Sequence, residues 1–233
     1  MERIDKIISE QTPYTRKQIK EKIKKHQVLV NGKEVLKPET KVKEEDIITI
    51  NNEVLKIKKN VYLVLNKPKG YVSATEDKKS HTVLELISEE YRHRNLFPAG
   101  RLDKDTTGLM IITDDGSFSH EILSPKKHVK KTYKVTIDIP ITNQMIEGFK
   151  EGVKLNDTIC KPAILEKQDE KVGLVTLTEG RYHQIKRMFG VYKAKVIELK
   201  RIQIGSFHIP EDLKEKEFRE LTEQELKQIK QNN

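Results

Sequence analysis

A chain of 233 residues has room for one large domain or for a small module joined to a larger one. The 45 Lys and Arg against 36 Asp and Glu leave a net charge of +9, which favours a polyanionic partner, either nucleic acid or an anionic membrane. No apolar run approaches the roughly 20 residues of a bilayer-spanning helix, and Met1-Glu2-Arg3-Ile4-Asp5 does not lead into a signal-peptide core, so the expectation moves from membrane to nucleic acid.

Ile4, Ile7 and Ile8 share one face of a short helix, and Thr15 with Gln18 forms a capping box for a second helix that buries Ile19 and Ile23. That second helix carries Arg16, Lys17, Lys20, Lys22, Lys24 and Lys25 against Glu21 alone, a local charge of +5. Arg16, Lys17, Lys20, Lys24 and Lys25 are therefore candidate RNA contacts, although a merely solvated lysine-rich face has the same pattern. Val28 and Val30 alternate into Asn31-Gly32, a type I′ hairpin signal, and Ile48 and Ile50 lead into a turn at Asn51-Asn52. Lys56 to Asn60 reads as a linker, dividing the chain into residues 1–59 and 60–233.

In the second part Val61 to Leu65 reads as a buried strand ended by the turn Asn66-Lys67-Pro68-Lys69-Gly70, with a short helix around 83–88. Gly100-Arg101-Leu102-Asp103-Lys104-Asp105-Thr106-Thr107-Gly108-Leu109 then precedes the apolar run Met110-Ile111-Ile112. Asp114-Asp115-Gly116 marks a turn, and Phe118, Ile122 and Leu123 suit a short helix. Strands are expected at 134–137, 163–165, 174–177 and 196–199. Helices are expected at 145–149 and 183–189, the latter stopped by Gly190, and at a C-terminal segment capped by Thr222 and Glu225. Many strands and few helices predict an α+β fold, with a mainly antiparallel mixed sheet in the larger domain.

Three groups of residues could carry chemistry. Asp103, beside Arg101 and before a tight turn, ranks as a nucleophilic carboxylate first, a turn cap second, and a member of a Mg2+ cluster with Asp105, Asp114 and Asp115 last. Lys130, Lys131 and Lys134 surround Tyr133, a pattern in which cations meet phosphates while a ring stacks on an extruded base; taken alone, Tyr133 is better read as an ordinary strand residue. In Glu179 to Phe189, Gly180 permits a sharp entry into a helix, and Arg181, Lys186 and Arg187 gather near its start, suited to a phosphate or to Asp103. His183 and Gln184 fit structural hydrogen bonding better than metal ligation, since no second His or Cys lies at ligand spacing. The single Cys160 rules out an intramolecular disulfide and fits a reducing cytoplasm.

Together these units resemble the pseudouridine synthases, and within them the RsuA type that acts on small-subunit rRNA. The matching runs are Leu65 to Val72, Ala99 to Asp103 through Thr113-Asp114-Asp115-Gly116, Ser124-Pro125 with Lys131-Thr132-Tyr133, Glu179 to Phe189, and Leu199-Lys200-Arg201. The first module resembles an S4 RNA-binding domain. The resemblance implies that Asp103 initiates cleavage of the uridine N-glycosidic bond, by attack at C1′ or by assisting elimination to a glycal. It implies that Tyr133 stacks on the flipped base, that Lys186 pairs with the aspartate, and that Leu199 packs beside the site with Arg101 in support. Gly190 to Ala194 departs from the Gly-Asn turn expected of close relatives. The implied reaction is an isomerisation needing no cofactor and no metal. Its substrate would be 16S rRNA, at the uridine-516 type of site, and the protein a cytoplasmic monomer. A 23S rRNA synthase, a non-catalytic ribosome-assembly protein and a metal-dependent phosphodiesterase are the rival readings.

Overall fold

A computed structural model of the protein describes every residue except Lys56, Arg92, Pro125, Lys126, Asp157, Asn232 and Asn233. Lys56 of the expected linker and Pro125 of the Ser124-Pro125 pair thus lie outside the described residues. The chain divides into two compact units, Met1–Val61 with Ile87–Leu96, and Tyr62–Leu86 with Phe97–Asn233. Sequence placed the division at 59/60 and did not anticipate the excursion over 87–96. Its anchor is Arg94, whose guanidinium donates to the backbone carbonyls of Glu10, Lys58 and Lys59 within the first unit.

In the first unit β1 (Glu2–Arg3) leads into α1 (Ile4–Gln11) and α2 (Arg16–Lys24), followed by β2 (Val28–Val30), β3 (Lys33–Glu34), β4 (Lys41–Val42), β5 (Ile48–Ile50) and β6 (Glu53–Val54). β1 pairs with β4, and the other strands form a sheet in the order β3-β2-β5-β6. The helices pack Ile4, Ile8, Ile19 and Ile23 against Val28, Val42, Ile48 and Ile50. Thr15 and Gln18 close the capping box in both directions, the Gln18 amide donating to Thr15 Oγ1 and the Thr15 amide to Gln18 Oε1. Asn31 and Gly32 both take positive φ, 51° and 78°, as a type I′ hairpin turn requires.

The second unit is built on one sheet. Its strands are β7 (Tyr62–Lys67), β8 (Phe97–Pro98), β9 (Thr107–Thr113), β10 (Lys131–Ile137), β11 (Lys154–Leu155), β12 (Thr158–Ile159), β13 (Ile164–Lys167), β14 (Val172–Leu177), β15 (Val196–Ile204), β16 (Phe207–His208) and β17 (Phe218–Glu220). The main path runs β13-β14-β10-β15-β9-β7-β17, with β8 on β9 and β16 on β15; β11 and β12 pair separately. Every pairing in the large sheet is antiparallel except β15 with β9, where Lys200 faces Thr107 and Arg201 faces Gly108.

That parallel join explains Gly108. Its φ is +99°, and a Cβ there would stand 2.2 Å from the Arg201 carbonyl oxygen, so only glycine lets the two strands approach.

Among the described residues four α-helices, α3 (Gly116–Leu123), α4 (Asn143–Glu151), α5 (Gln184–Val191) and α6 (Glu223–Lys230), complete the unit, and the short helix expected around 83–88 is a 3-10 helix over Val83–Leu86. One core joins Met145, Phe149, Ile185, Met188 and Phe189 to Val135, Val175 and Leu199; the other joins Phe118, Ile122 and Ile229 to Val64, Leu109, Ile111 and Ile204. Two local expectations change. Asp115 is the N-cap of α3, its carboxylate accepting from the Phe118 amide, and Gly116 opens the helix rather than ending a turn. Gly190 does not stop α5. The helix closes beyond it with Lys193 in the left-handed region (φ 59°), the Lys193 amide donating to the Gly190 carbonyl and the Ala194 amide to that of Phe189.

Candidate active site

Asp103 sits in the turn between β8 and β9, and its backbone is held from both sides. Lys67, at the end of β7, is fully buried, and its Nζ donates to the carbonyls of Pro68 (3.0 Å), Asp103 (3.1 Å), Lys104 (3.4 Å) and Thr106 (2.8 Å). Burial lowers the Lys67 ammonium from its ordinary value to about 8, while the nearby Asp105 and Asp103 carboxylates pull it back up. On the other side Ser73 Oγ donates to the Leu102 carbonyl and accepts from the Leu102 amide. The Asn66 to Gly70 segment, read from sequence only as a turn, is thus the cradle of the Asp103 loop; a lysine closing an apolar strand was the available signal.

The carboxylate of Asp103 opens into a cavity of about 460 Å3, a size suited to a nucleoside. Lys186 and His183 reach it from α5 and its N-cap, Lys186 Nζ standing 3.5 Å from Oδ2 and His183 Nε2 3.5 Å from Oδ1. Lys186 also donates to Asp105 Oδ1 at 2.5 Å. Burial pushes the Asp105 carboxyl up, but the Lys186 hydrogen bond and charge more than offset this and leave it below its usual range. His183 takes a left-handed backbone (φ 48°, ψ 35°), and its ring stacks on Tyr182 at 3.9 Å between centroids. The sharp feature of this segment is therefore His183 rather than Gly180, and its ring, expected only to make structural hydrogen bonds, faces the Asp103 carboxylate.

Tyr133 and Leu199 line the same cavity. Both lie on one sheet face, since Tyr133 pairs with Arg201 and Val135 with Leu199 across β10 and β15. Arg101 lines the cavity too, but it is exposed and makes no ion pair with Asp103 among the described residues; the groups at that carboxylate, Lys186 and His183, come from α5 and its N-cap.

The other expected phosphate contacts separate. Arg181 is committed to Glu179 (3.2 Å) and to the Ile159 carbonyl, and Arg187 turns toward the Tyr182 carbonyl, outside the cavity lining. Gln184 has the structural role expected, donating to Glu179 and accepting from the Arg181 amide. Lys131 is half-buried in the cavity wall, its Nζ donating to the Ile122 carbonyl, and burial lowers it to about 8. Lys130 begins the same segment, half-buried just before β10. In the first unit Arg16, Lys17, Lys20 and Lys24 are exposed on α2 and Lys25 at its C-cap; Lys22 is instead drawn over the Tyr14 ring and to Asn51. Among the described residues no three His, Cys, Asp or Glu side chains converge on a metal-sized site, and no helix is long and apolar enough to cross a membrane.

Residues 61–190 match the RNA pseudouridylate synthase family, and residues 2–48 match the S4 domain. This chain belongs to the RNA pseudouridylate synthase family. It is 40% identical over 230 residues to ribosomal small subunit pseudouridine synthase A of Escherichia coli (strain K12), covering 97% of this chain and 99% of that one. It is 43% identical over 232 residues to an uncharacterized RNA pseudouridine synthase of Aquifex aeolicus (strain VF5), covering 98% and 96%. A crystal structure of a pseudouridylate synthase superposes with a TM-score of 0.70 at 38% identity, covering 98% of this chain and all of the other. The S4 module followed by a mixed-sheet catalytic domain is the RsuA-type arrangement, and the chain is a pseudouridine synthase of that type.

Proposed function

We propose that this synthase isomerises one uridine of 16S rRNA, at the uridine-516 type of site, with Asp103 as the nucleophilic carboxylate and the uridine flipped out of its helix into the cavity. The observation that carries the reading is the carboxylate of Asp103 held in the lining of a nucleoside-sized cavity between Lys186 and His183. Lys186 and His183 aim the carboxylate into the cavity, and their hold on it strengthens where water is excluded. In the reaction C1′–N1 breaks, the uracil turns, C1′–C5 forms, and the proton leaving C5 is balanced by one gained at N1. Tyr133 offers its ring as a stacking face for the detached base, and Leu199 closes the apolar side. The small-subunit assignment rests on the names of the Escherichia coli and Yersinia pestis relatives, both ribosomal small subunit pseudouridine synthase A. The exposed lysines of α2 supply a sequence-independent hold on the RNA backbone.

The test is release of tritium from 5-tritiated uridine in 16S-containing substrate, with the rRNA of a deletion strain mapped for lost pseudouridine. Release by the wild type, none by Asp103→Asn despite retained RNA binding, and loss of one small-subunit pseudouridine are expected. Normal turnover by Asp103→Asn would sink the nucleophile assignment, and a site lost from 23S rRNA instead would redirect the substrate.

A further inference from the structure

Beside Tyr133 the cavity wall holds positive charge that no carboxylate among the described residues pairs with. Arg201 is 3% exposed; its Nε donates to the Leu109 carbonyl at 2.7 Å, while its Nη2 is buried without a hydrogen-bond partner. Thr106 is 2% exposed and its Oγ1 is likewise buried and unpartnered. Both residues line the cavity into which Asp103 faces, as does Lys131.

No carboxylate answers these groups. Among the described residues no ion pair involves Lys131 or Arg201, and the acids around the cavity are engaged elsewhere, Glu179 with Arg181, and Asp103 and Asp105 with Lys186. The two cations are close enough that Arg201 lowers the Lys131 ammonium beyond the effect of burial. Burying like charges together is costly unless a ligand brings the opposite one. The strand geometry keeps them in place: Arg201 pairs with Tyr133 on β10 and with Gly108 on β9, and Lys131 lies two residues before Tyr133 on the same face.

The geometry points to a phosphate subsite at Arg201, Lys131 and Thr106, taking a phosphate that flanks the flipped uridine. A guanidinium fork, an ammonium and a hydroxyl are donors matched to phosphate oxygens, and uracil itself is neutral. The subsite rests on the reading of the cavity as a nucleoside site, and it divides the labour within it. Asp103, Lys186 and His183 serve the glycosidic bond, while the Arg201 cluster fixes the backbone beside it.

The test is calorimetric binding of uridine, uridine 5′-monophosphate, uridine 3′-monophosphate and inorganic phosphate to the full-length protein. The wild type should bind one of the two monophosphates roughly tenfold or more tighter than uridine, identifying which flanking phosphate is held. That preference should vanish in Lys131→Met and in Arg201→Lys, the second variant retaining the charge but not the fork. Because Lys131 is only half-buried, Lys131→Met decides the matter if the Arg201 variant fails to fold. Equal affinity for uridine and both monophosphates, or a preference that survives in Lys131→Met, would overturn the subsite. Binding needs no turnover, so a protein that prefers a monophosphate yet isomerises no rRNA keeps the subsite and loses the proposed reaction. Inorganic phosphate competing as well as the favoured monophosphate would show an adventitious ion only and count against it.

Discussion

Lys186 is shared between two carboxylates, donating to Asp105 at 2.5 Å while standing 3.5 Å from Asp103. In the free enzyme the closer partner is thus the carboxylate that is 68% exposed, not the one facing the cavity. Lys186→Met should lower turnover by at least about a hundredfold, since in the proposed reaction the cation stands beside the carboxylate whose charge changes. Asp105→Asn should cost less than about tenfold, because it leaves Lys186 free to turn to Asp103. Single-turnover rates on the same RNA check both, and a larger loss for Asp105→Asn than for Lys186→Met would reverse the assignment of roles.

Lys67 organises the Asp103 loop without facing the cavity. Lys67→Met should destabilise the protein by roughly 2–4 kcal/mol, because the carbonyls of Asp103 and Thr106 lose a buried donor. Chemical denaturation measures that loss. The variant should also turn over more slowly while Asp105 keeps its contact with Lys186, which separates loop disorder from the loss of a reacting group.

Gly108→Ala should be at least as damaging, by roughly 2–5 kcal/mol, since it combines a positive φ with a Cβ set against the Arg201 carbonyl. The change in denaturation midpoint reports it directly. Gly116→Ala, at a helical glycine whose Cβ would meet nothing within 4 Å, is the control and should be neutral or slightly stabilising.

Acid sensitivity should centre on the C-terminal helix. The Arg219 guanidinium grips Glu225 through two hydrogen bonds, at 2.7 and 2.9 Å, and with the Thr222 amide lowers its carboxyl from the ordinary 4.5 to about 2. A carboxyl depressed on folding adds stability above its unfolded value, and that stability drains away as pH falls from about 4.5 to about 2. The melting temperature should drop through this window, and Glu225→Gln should start lower at neutral pH and drop less.

Replacing Lys20, Lys24 and Lys25 together should weaken RNA binding and flatten its dependence on salt, as expected when phosphate contacts are removed. Binding measured between about 50 and 200 mM salt decides whether this exposed face of α2 touches RNA; an unchanged slope would make it a bystander.

Much of this molecule was legible in its sequence because the signals were local. The Thr15–Gln18 and Thr222–Glu225 boxes, the Asn31-Gly32 turn and the buried strand after Gly108 are each written within a few residues. What escaped depended on distance along the chain. Arg101 lies two residues from Asp103, yet the cation facing that carboxylate is Lys186, which the cationic helix start offered together with Arg181 and Arg187 and only the family resemblance singled out. Lys67 and Arg201 stood only inside runs that match the family, with no role of their own, because their partners are backbone carbonyls in other segments. His183 reads as structural because no second metal ligand lies near it in sequence, and nothing local announces the left-handed backbone that turns its ring to Asp103.

The pairing of β15 with β9 sets the order in which the enzyme becomes competent. Arg201 reaches the Leu109 carbonyl across 92 residues of chain, and β17 completes the sheet against β7 only after Phe218 has been made. A nascent chain therefore carries Asp103 long before it owns a pocket, and contacts of such long range close slowly. The protein should gain the ability to modify RNA abruptly, near the end of its own translation, rather than by degrees. Fragments ending before β15 should hold RNA through the S4 module and leave it unchanged.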